Sequence, residues 1–356
     1  MEKQVKTVFR RFIVPSLRAA ALSLVLVLAF TYALLDAFVI PKALPVPSQP
    51  PAAVPSHSDP EAGRVTEYPV SSDDTPSPDI SVPDSGPGSG QSPTPTILAP
   101  GIALPDEPLP PSAPVITETS YEDRNIRINI EYVSESSLVY YTADVRISNI
   151  SFLRTAFAND TYGRNITQRT SQMAEQSNAI LAISGDYYGF RGEGLVIRNG
   201  VLYRNPMNNR SHEGLIIDAN GDLTVIREGE FTGEGLMADG IWQGFSFGPG
   251  LVIDGINVRN PGGSSHPRAA IGQISPLHYV FIVVDGRTAT SRGLTLFDLA
   301  EVFISLGCHT AYNLDGGGSA SMWFNGRVVN APTADGVRFA ERRISDIVYI
   351  GTWHDE

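Results

Sequence analysis

Three consecutive glycines lie between two polar residues near the C-terminal end of the chain, in the stretch NLDGGGSASMWF. Asp315 comes directly before Gly316, Gly317 and Gly318, and Ser319 comes directly after them. Ordering a glycine is entropically costly, and a glycine has no side chain that could pack. A tight turn between two strands would explain such a cluster. The second interpretation is a loop whose backbone N–H groups bind an anion, with Asp315 and Ser319 at its two ends.

Further polar residues of reactive types lie where short apolar runs end. Arginines form bidentate, charge-assisted hydrogen bonds to phosphate oxygens, and tyrosines beside carboxylates suit a sugar ring. Cleavage of a glycosidic bond needs a carboxylic acid and often a second carboxylate, but a phosphodiester leaving group depends less on the acid and more on the anion site. The set therefore suits phosphate and sugar together. Its members outside the glycine loop are Asp186, Tyr187, Arg268, Asp285, Arg287, Glu341 and Arg342.

Several common site types have no support in the sequence. The six histidines are scattered, and no Cys/His group has the spacing of zinc ligands. The glycine loop lacks the Gly-Lys-Ser/Thr ending of a P-loop, and no G-x-S-x-G elbow occurs. We predict no cofactor, although the sequence leaves a divalent metal open. The formal net charge of -12 disfavours nucleic acid as a partner.

The elements that would position these residues are mainly strands. Two helices are indicated, over 166–179 and 294–307, and each runs directly into a buried-looking strand. Asn-Gly in RNGVLYR and ANGDLTV predicts hairpins. Helices mixed with meander-like strands indicate an α+β domain with a mixed, mainly antiparallel sheet and a few helices. The predicted strands lie in IRINIEYV, LVYYTADVRI, AILAISGD, GLVIRNGVLY, EGLIIDANGDLTVI, HYVFIVVDG and TAYNLDGG.

The first part of the chain has a different composition. A basic tail (1–18) precedes an apolar run (19–40) of about the length of a transmembrane helix, and this order predicts a cytoplasmic N-terminus and an extracytoplasmic remainder. A cleaved signal peptide is the alternative, but the run exceeds the usual apolar region of one. Residues 41–114 are rich in Pro and Ser and predict a disordered linker. One folded domain is expected over 115–356, without a disulfide because Cys308 is the single cysteine.

The folded part resembles the phosphodiester glycosidase family over about 179–350. The family pattern Asp-Gly-Gly-Gly-Ser falls on 315–319, its Pro-Arg turn on 267–268 and its Asp-Gly-Arg on 285–287. Its first strand-end motif falls on 184–187, where Ser184 stands in place of a common Asn, and Arg343 stands where Pro often follows Glu-Arg. The resemblance is carried by AISGDYYGFRGEGLVIRNGVLYR, FSFGPGLVIDG, HPRAAIG, YVFIVVDGR, GLTLFDLAEVFISLGCHTAYNLDGGGSASMWFNGRVVN and ERRISD, in this order.

This resemblance implies a hydrolase that cleaves a sugar from a sugar-1-phosphodiester of cell-envelope or exopolysaccharide glycans, and the apolar run over 19–40 predicts that this hydrolase is anchored in the membrane. It implies Asp315, Asp186, Asp285 and Glu341 as catalytic residues. It places the substrate on Gly316, Gly317, Gly318, Ser319, Arg268, Arg287, Tyr187 and Arg342. A non-catalytic binder of phosphate-bearing envelope glycans is the main alternative. A phosphodiesterase that breaks the P–O bond is a third, and it would ordinarily need metal ligands.

Overall fold

The computed structural model of the chain describes residues 14–44 and 113–351. The predicted cytoplasmic tail, apart from 14–18, and nearly all of the predicted linker lie outside the described residues. Helix α1 spans Val14–Phe38 and is followed by the short strand β1, Lys42–Ala43. In the described parts of the chain, no helix is long and apolar enough to span a membrane. The transmembrane helix over 19–40 thus stays a prediction.

From residue 113 onward the chain is built mainly of strands. Three further helices interrupt them: α2 (Thr170–Gln176), α3 (Gly233–Ala238) and α4 (Leu296–Ser305). The strands are β2 (Val115–Ile116), β3 (Ser120–Glu122), β4 (Ile126–Glu135), β5 (Leu138–Ile147), β6 (Leu153–Phe157), β7 (Gly163–Arg164), β8 (Ala179–Ser184), β9 (Val196–Arg198), β10 (Val201–Arg204), β11 (Glu213–Ile217), β12 (Leu223–Arg227), β13 (Gln243–Phe245), β14 (Gly250–Ile253), β15 (Ile256–Asn257), β16 (Arg268–Ser275), β17 (His278–Val284), β18 (Thr310–Leu314), β19 (Met322–Phe324), β20 (Arg327–Val328) and β21 (Asp346–Gly351).

These strands form three main sheets and one small pair. A nine-stranded sheet has the order β15-β14-β18-β16-β17-β5-β4-β3-β2. Two five-stranded sheets have the orders β20-β19-β8-β21-β6 and β10-β9-β13-β11-β12, and β1 pairs with β7. Every pairing between described strands is antiparallel. The mainly antiparallel α+β domain is confirmed, but the described residues contain no parallel pair, so they lack the mixed character that we expected.

One apolar cluster holds the three main sheets together. Phe281 of the nine-stranded sheet, Ile183 of one five-stranded sheet and Leu215 of the other are all fully buried in it. The opposite face of the nine-stranded sheet is covered by helix α4, whose Phe303 packs with Cys308 in a second cluster. Because both faces of this sheet are buried, its central strands are apolar throughout rather than alternating. Cys308 is therefore a packed core residue, and burial raises the pKa of its thiol to about 12.

Local signals in the sequence locate several elements correctly. Helix α4 begins after Thr295, whose hydroxyl accepts a hydrogen bond from the Asp298 N–H, and Gly307 follows the helix with a φ of 83°. Asn199 and Gly200 form a two-residue hairpin between β9 and β10, as the Asn-Gly signal predicts. The second Asn-Gly lies in a longer loop, between residues 217 and 223.

Candidate active site

Two strand ends meet at the site, and each carries one of the predicted carboxylates. Strand β18 of the nine-stranded sheet leads into Asp315, and strand β8 of a five-stranded sheet leads into Asp186. The N–H of Asp315 donates to the Gly185 carbonyl at 2.9 Å, and the Ser184 hydroxyl donates to the Asp315 carbonyl at 2.7 Å. Ser184, which departs from the family pattern, thus joins the two strand ends. Each strand is preceded by a helix that packs on the same sheet, as the sequence predicts.

Asp315 is buried, and its carboxyl group lies beside the Ser319 hydroxyl. Within the described residues, neither of its side-chain oxygens takes part in a hydrogen bond of normal geometry, and the residue is 6% exposed. Burial raises the pKa of the Asp315 carboxyl to about 7, while the nearby Ser319 hydroxyl and Arg342 guanidinium oppose the rise. The neighbouring charge of Asp186 raises it further. An aspartate in such a setting can accept or donate a proton near neutral pH.

The glycine loop turns sharply after Asp315 and leaves two of its N–H groups free. The N–H of Gly317, which has a φ of 61°, donates to the Pro267 carbonyl at 2.8 Å. In the part of the chain that the structure describes, the N–H groups of Gly316 and Gly318 have no acceptor. The Ser319 hydroxyl is buried and also lacks a partner there. Free donors of this kind at a turn are suited to bind an anion.

Two arginine side chains lie against this loop. A Cβ atom at Gly318 would be 3.0 Å from the Arg342 guanidinium, and one at Gly317 would be 3.4 Å from that of Arg287. Both arginines are exposed, and neither has a carboxylate partner among the described residues. The glycines therefore allow two guanidinium groups to approach free backbone N–H donors. This combination is suited to the oxygens of a phosphate group.

A buried ion network underlies Asp186. Arg198 Nε donates a hydrogen bond to an Asp346 carboxylate oxygen at 2.8 Å, and Arg198 Nη2 also lies 2.8 Å from that oxygen. The same Nη2 is 3.6 Å from an Asp186 carboxylate oxygen. Asp346 in turn accepts the Asp186 N–H at 2.7 Å. Burial raises the pKa of the Asp346 carboxyl, and the Arg198 charge opposes this rise. All three side chains are almost fully buried, so the network fixes the backbone that carries Asp186.

A second buried carboxylate supports Asp186 from the other side. The Asp186 side chain accepts hydrogen bonds from the N–H of Tyr187 at 2.6 Å and from that of Ser246 at 2.8 Å. The Ser246 hydroxyl donates to Glu228, which also contacts His212 Nδ1 at 3.0 Å. Sequence reasoning did not single out Arg198, Asp346 or Glu228. Arg198, which lies inside the apolar run GLVIRNG, could have indicated this network, because a charge within a buried strand needs a partner.

Three predicted residues have side-chain polar atoms that are engaged in other hydrogen bonds. Asp285 accepts hydrogen bonds from Asn330 Nδ2 at 2.9 Å and from the Ala331 N–H, and burial raises the pKa of its carboxyl. Glu341 accepts hydrogen bonds from the Ser171 N–H at 3.0 Å and from its hydroxyl, at the start of α2. Arg268 donates from Nε and Nη2 to the carbonyls of Leu294 and Ser264, and burial lowers the pKa of its guanidinium.

The structure thus brings together Asp186, Tyr187, Asp315, Ser319, Arg287 and Arg342 around the glycine loop. The other predicted catalytic and binding residues, Asp285, Glu341 and Arg268, make hydrogen bonds to residues outside this group. Among the described residues, no group of three His, Cys, Asp or Glu side chains could hold a metal ion. Two cavities, of about 450 and 360 Å³, lie elsewhere and are lined by none of these residues.

Comparison with known proteins gives a family match. Residues 177–351 match the model of a family described as phosphodiester glycosidase. The SPbeta prophage-derived uncharacterized protein YomE of Bacillus subtilis strain 168 is 31% identical over 211 residues, which are 55% of this chain and 31% of that protein. The N-acetylglucosamine-1-phosphodiester alpha-N-acetylglucosaminidase of Bos taurus is 35% identical over 86 residues, 23% of this chain and 16% of that enzyme. The chain thus spans less than a third of either relative.

A solved structure supports the fold. The catalytic domain of the zebrafish N-acetylglucosamine-1-phosphodiester alpha-N-acetylglucosaminidase, auto-inhibited by its pro-peptide, superimposes with a TM-score of 0.51. The match covers 70% of this chain and 86% of that domain, at 17% sequence identity. At this identity the similarity establishes the shared fold alone.

Proposed function

Residues 177–351 belong to the phosphodiester glycosidase family, and from this premise we propose that the chain hydrolyses the bond between a sugar and the phosphate of a sugar-1-phosphodiester. One observation carries the proposal. A buried carboxyl group with a pKa of about 7 lies beside the Ser319 hydroxyl and directly before a glycine loop that two guanidinium groups flank. Similarity to the bovine sugar-1-phosphodiester glycosidase supports the same substrate class.

In this proposal the glycine loop binds the phosphate. The free N–H groups of Gly316 and Gly318 and the guanidinium groups of Arg287 and Arg342 bind its oxygens. These donors stabilise the charge that develops on the departing phosphate oxygen as the sugar–oxygen bond breaks. Because a phosphate is a good leaving group, the binding energy of this site matters more than a proton from an acid. The backbone of Pro267 and Arg268 positions the loop here, because the Pro267 carbonyl accepts the Gly317 N–H and both residues lie against Gly316.

The carboxylates act on the sugar in this scheme. Asp315 takes a proton from the water that attacks the anomeric carbon, because its pKa near neutrality suits a general base. The Asp186 carboxylate stabilises the positive charge that develops on the sugar ring in the transition state. The oxygen of water joins the anomeric carbon and the sugar–oxygen bond breaks. A free sugar and a phosphomonoester leave.

Product analysis tests this proposal directly. The protein is incubated with a sugar-1-phosphodiester, and its products are separated by chromatography. Free sugar together with a phosphomonoester supports the proposal. Sugar-1-phosphate would instead indicate P–O cleavage, and saturable binding without any product would indicate a non-catalytic binder. Asp315→Asn should lower kcat at least a hundredfold, whereas the exposed Asp254→Asn, in a turn that asparagine tolerates, serves as the matched control.

The location of this activity is also a proposal. The basic tail and the apolar run over 19–40 would hold the N-terminus in the cytoplasm and leave the domain outside the membrane. A domain placed there would meet cell-envelope or exopolysaccharide glycans. Phosphate-linked carbohydrate is then the substrate class, and the membrane is contacted through the N-terminal helix.

A further inference from the structure

Arg191 lies beside the candidate active site and is oriented by it. Its Nη1 donates to the Ser246 carbonyl at 3.0 Å, and the Ser246 N–H donates to the Asp186 carboxylate at 2.8 Å. The guanidinium is thus connected to Asp186 through a single residue. Since Ser246 is itself buried and hydrogen-bonded to Glu228, its carbonyl holds the Arg191 guanidinium in a fixed position.

Aromatic rings surround the same guanidinium. Its central carbon is 5.8 Å from the centre of the Tyr187 ring and 5.3 Å from that of Phe247. Tyr187 also stacks on Phe190, with ring centres 4.7 Å apart and an angle of 25° between the rings. The two distances from the guanidinium carbon to the ring centres are typical of cation–π contacts. The rings restrict the guanidinium plane and offer flat apolar surface of the kind that the C–H groups of a sugar ring can contact.

One edge of Arg191 remains unused. In the described residues its Nε and Nη2 have no acceptor, and no carboxylate lies within 4.0 Å of it. The same edge of Arg198 binds Asp346, and the same edge of Arg268 binds two backbone carbonyls. Nε and Nη2 together form the fork that binds a carboxylate with two parallel hydrogen bonds.

We propose that this edge of Arg191 binds a carboxylate on the sugar, so that the preferred substrate is a uronic acid 1-phosphodiester. The inference rests on the proposed function, in which Arg287 and Arg342 bind the phosphate. The guanidinium of Arg191, the third at the site, lies beside Asp186, the residue on which the proposed function places the sugar. The substrate carries two negative groups, one on each side of the anomeric carbon.

The test compares two substrates that differ at one carbon. Glucuronic acid and glucose are each supplied as the 1-(methyl phosphodiester), and kcat/KM is measured for both. The wild-type protein should prefer the glucuronyl compound by about 10- to 100-fold, the range of a charge-assisted bidentate contact. In Arg191→Gln this ratio should fall to about one, and Arg191→Lys should retain part of it. Arg146→Gln, which removes an exposed charge on β5, should leave the ratio as in the wild type.

A binding measurement separates this inference from the proposed function. Calorimetry gives the Kd of glucuronic acid 1-phosphate and of glucose 1-phosphate for the wild type and for Arg191→Gln. Discrimination that depends on Arg191, without turnover of any diester, would support the carboxylate site and overturn the hydrolase proposal. Turnover with equal rates on both diesters, or a preference that survives in Arg191→Gln, would overturn the carboxylate site alone. If neither sugar phosphate binds and no diester is hydrolysed, the carboxylate site and the hydrolase proposal are both overturned.

Discussion

Replacement of Asp315 by asparagine should stabilise the folded protein at alkaline pH and not at acid pH. The pKa of the Asp315 carboxyl is raised from 3.8 to about 7 by burial. Below pH 3.8 both the folded and the unfolded chain hold the proton. Between pH 3.8 and 7 the unfolded chain loses the proton while the folded chain retains it, so the free energy of unfolding falls as pH rises. Above pH 7 the loss is complete.

The size of the effect follows from the shift in pKa. A shift of about three units corresponds to about 4 kcal/mol of differential stability between the protonated and ionised carboxyl. Asparagine stays neutral at every pH and has nearly the same shape. Relative to the wild type, Asp315→Asn should therefore gain up to about 4 kcal/mol at pH 8 and little at pH 4. For a domain of this size the gain corresponds to a rise in Tm of roughly 10 °C at pH 8.

Calorimetric melting of the wild type and of Asp315→Asn across pH 4 to 8 measures this difference. Burial also raises the pKa of the Asp346 carboxyl, and because the Asp346 charge contributes to the raised pKa of Asp315, the measured difference includes this coupling between the two carboxyls. A variant that loses turnover while becoming more stable at high pH would identify Asp315 as a group kept for function. A Tm difference that is the same at pH 4 and pH 8, or that turns negative at pH 8, would refute the reasoning.

Three further predictions concern the glycine loop, the buried network and the topology. Gly318→Ala should displace the Arg342 guanidinium, which would lie 3.0 Å from the new methyl, and should raise KM several-fold with little change in Tm. Gly192→Ala, where the new methyl has open space, is the control. Equal KM values for Gly318→Ala and the wild type would contradict this prediction. Arg198→Met should lower the free energy of unfolding by about 3–5 kcal/mol at pH 7 in a denaturant titration, and by less at pH 5, because two buried carboxylates lose their partner. An equal loss of stability at both pH values would argue against an ionic role of Arg198. Protease added to intact cells should digest everything after Ile40, and a protected domain would contradict the topology.

The sequence predicted the part of the site that depends on local signals. Asp315 and Asp186 end strands that helices precede, and a short polar sequence after an apolar run shows this without knowledge of the fold. The strand β21, which carries Asp346, was not predicted, although it pairs with both β6 and β8. Its residues become a central strand only because of partners that are about 160 and 190 positions away in the chain, and no local pattern contains that information.

The side-chain contacts were beyond sequence reasoning for a related reason. Glu341 and Asp285 have the residue types and motif positions of catalytic acids, but whether a carboxylate is free depends on which donors the fold brings to it. Glu341 meets the start of α2, and Asp285 meets Asn330. The difference between these carboxylates and Asp315 lies in hydrogen-bond partners at 2.9 to 3.0 Å, which spacing along the chain does not encode.

The three glycines can now be explained one by one, and the explanations distinguish a turn from a binding loop. Only Gly317 has a positive φ, so a turn would need a single glycine. Gly316 is required because a Cβ there would lie 2.8 Å from the Pro267 carbonyl, which is a backbone contact. At Gly318 a Cβ would meet the guanidinium end of the Arg342 side chain rather than backbone, and a turn alone gives no reason to keep that space. A phosphate held between Arg342 and the free N–H groups of the loop does give one.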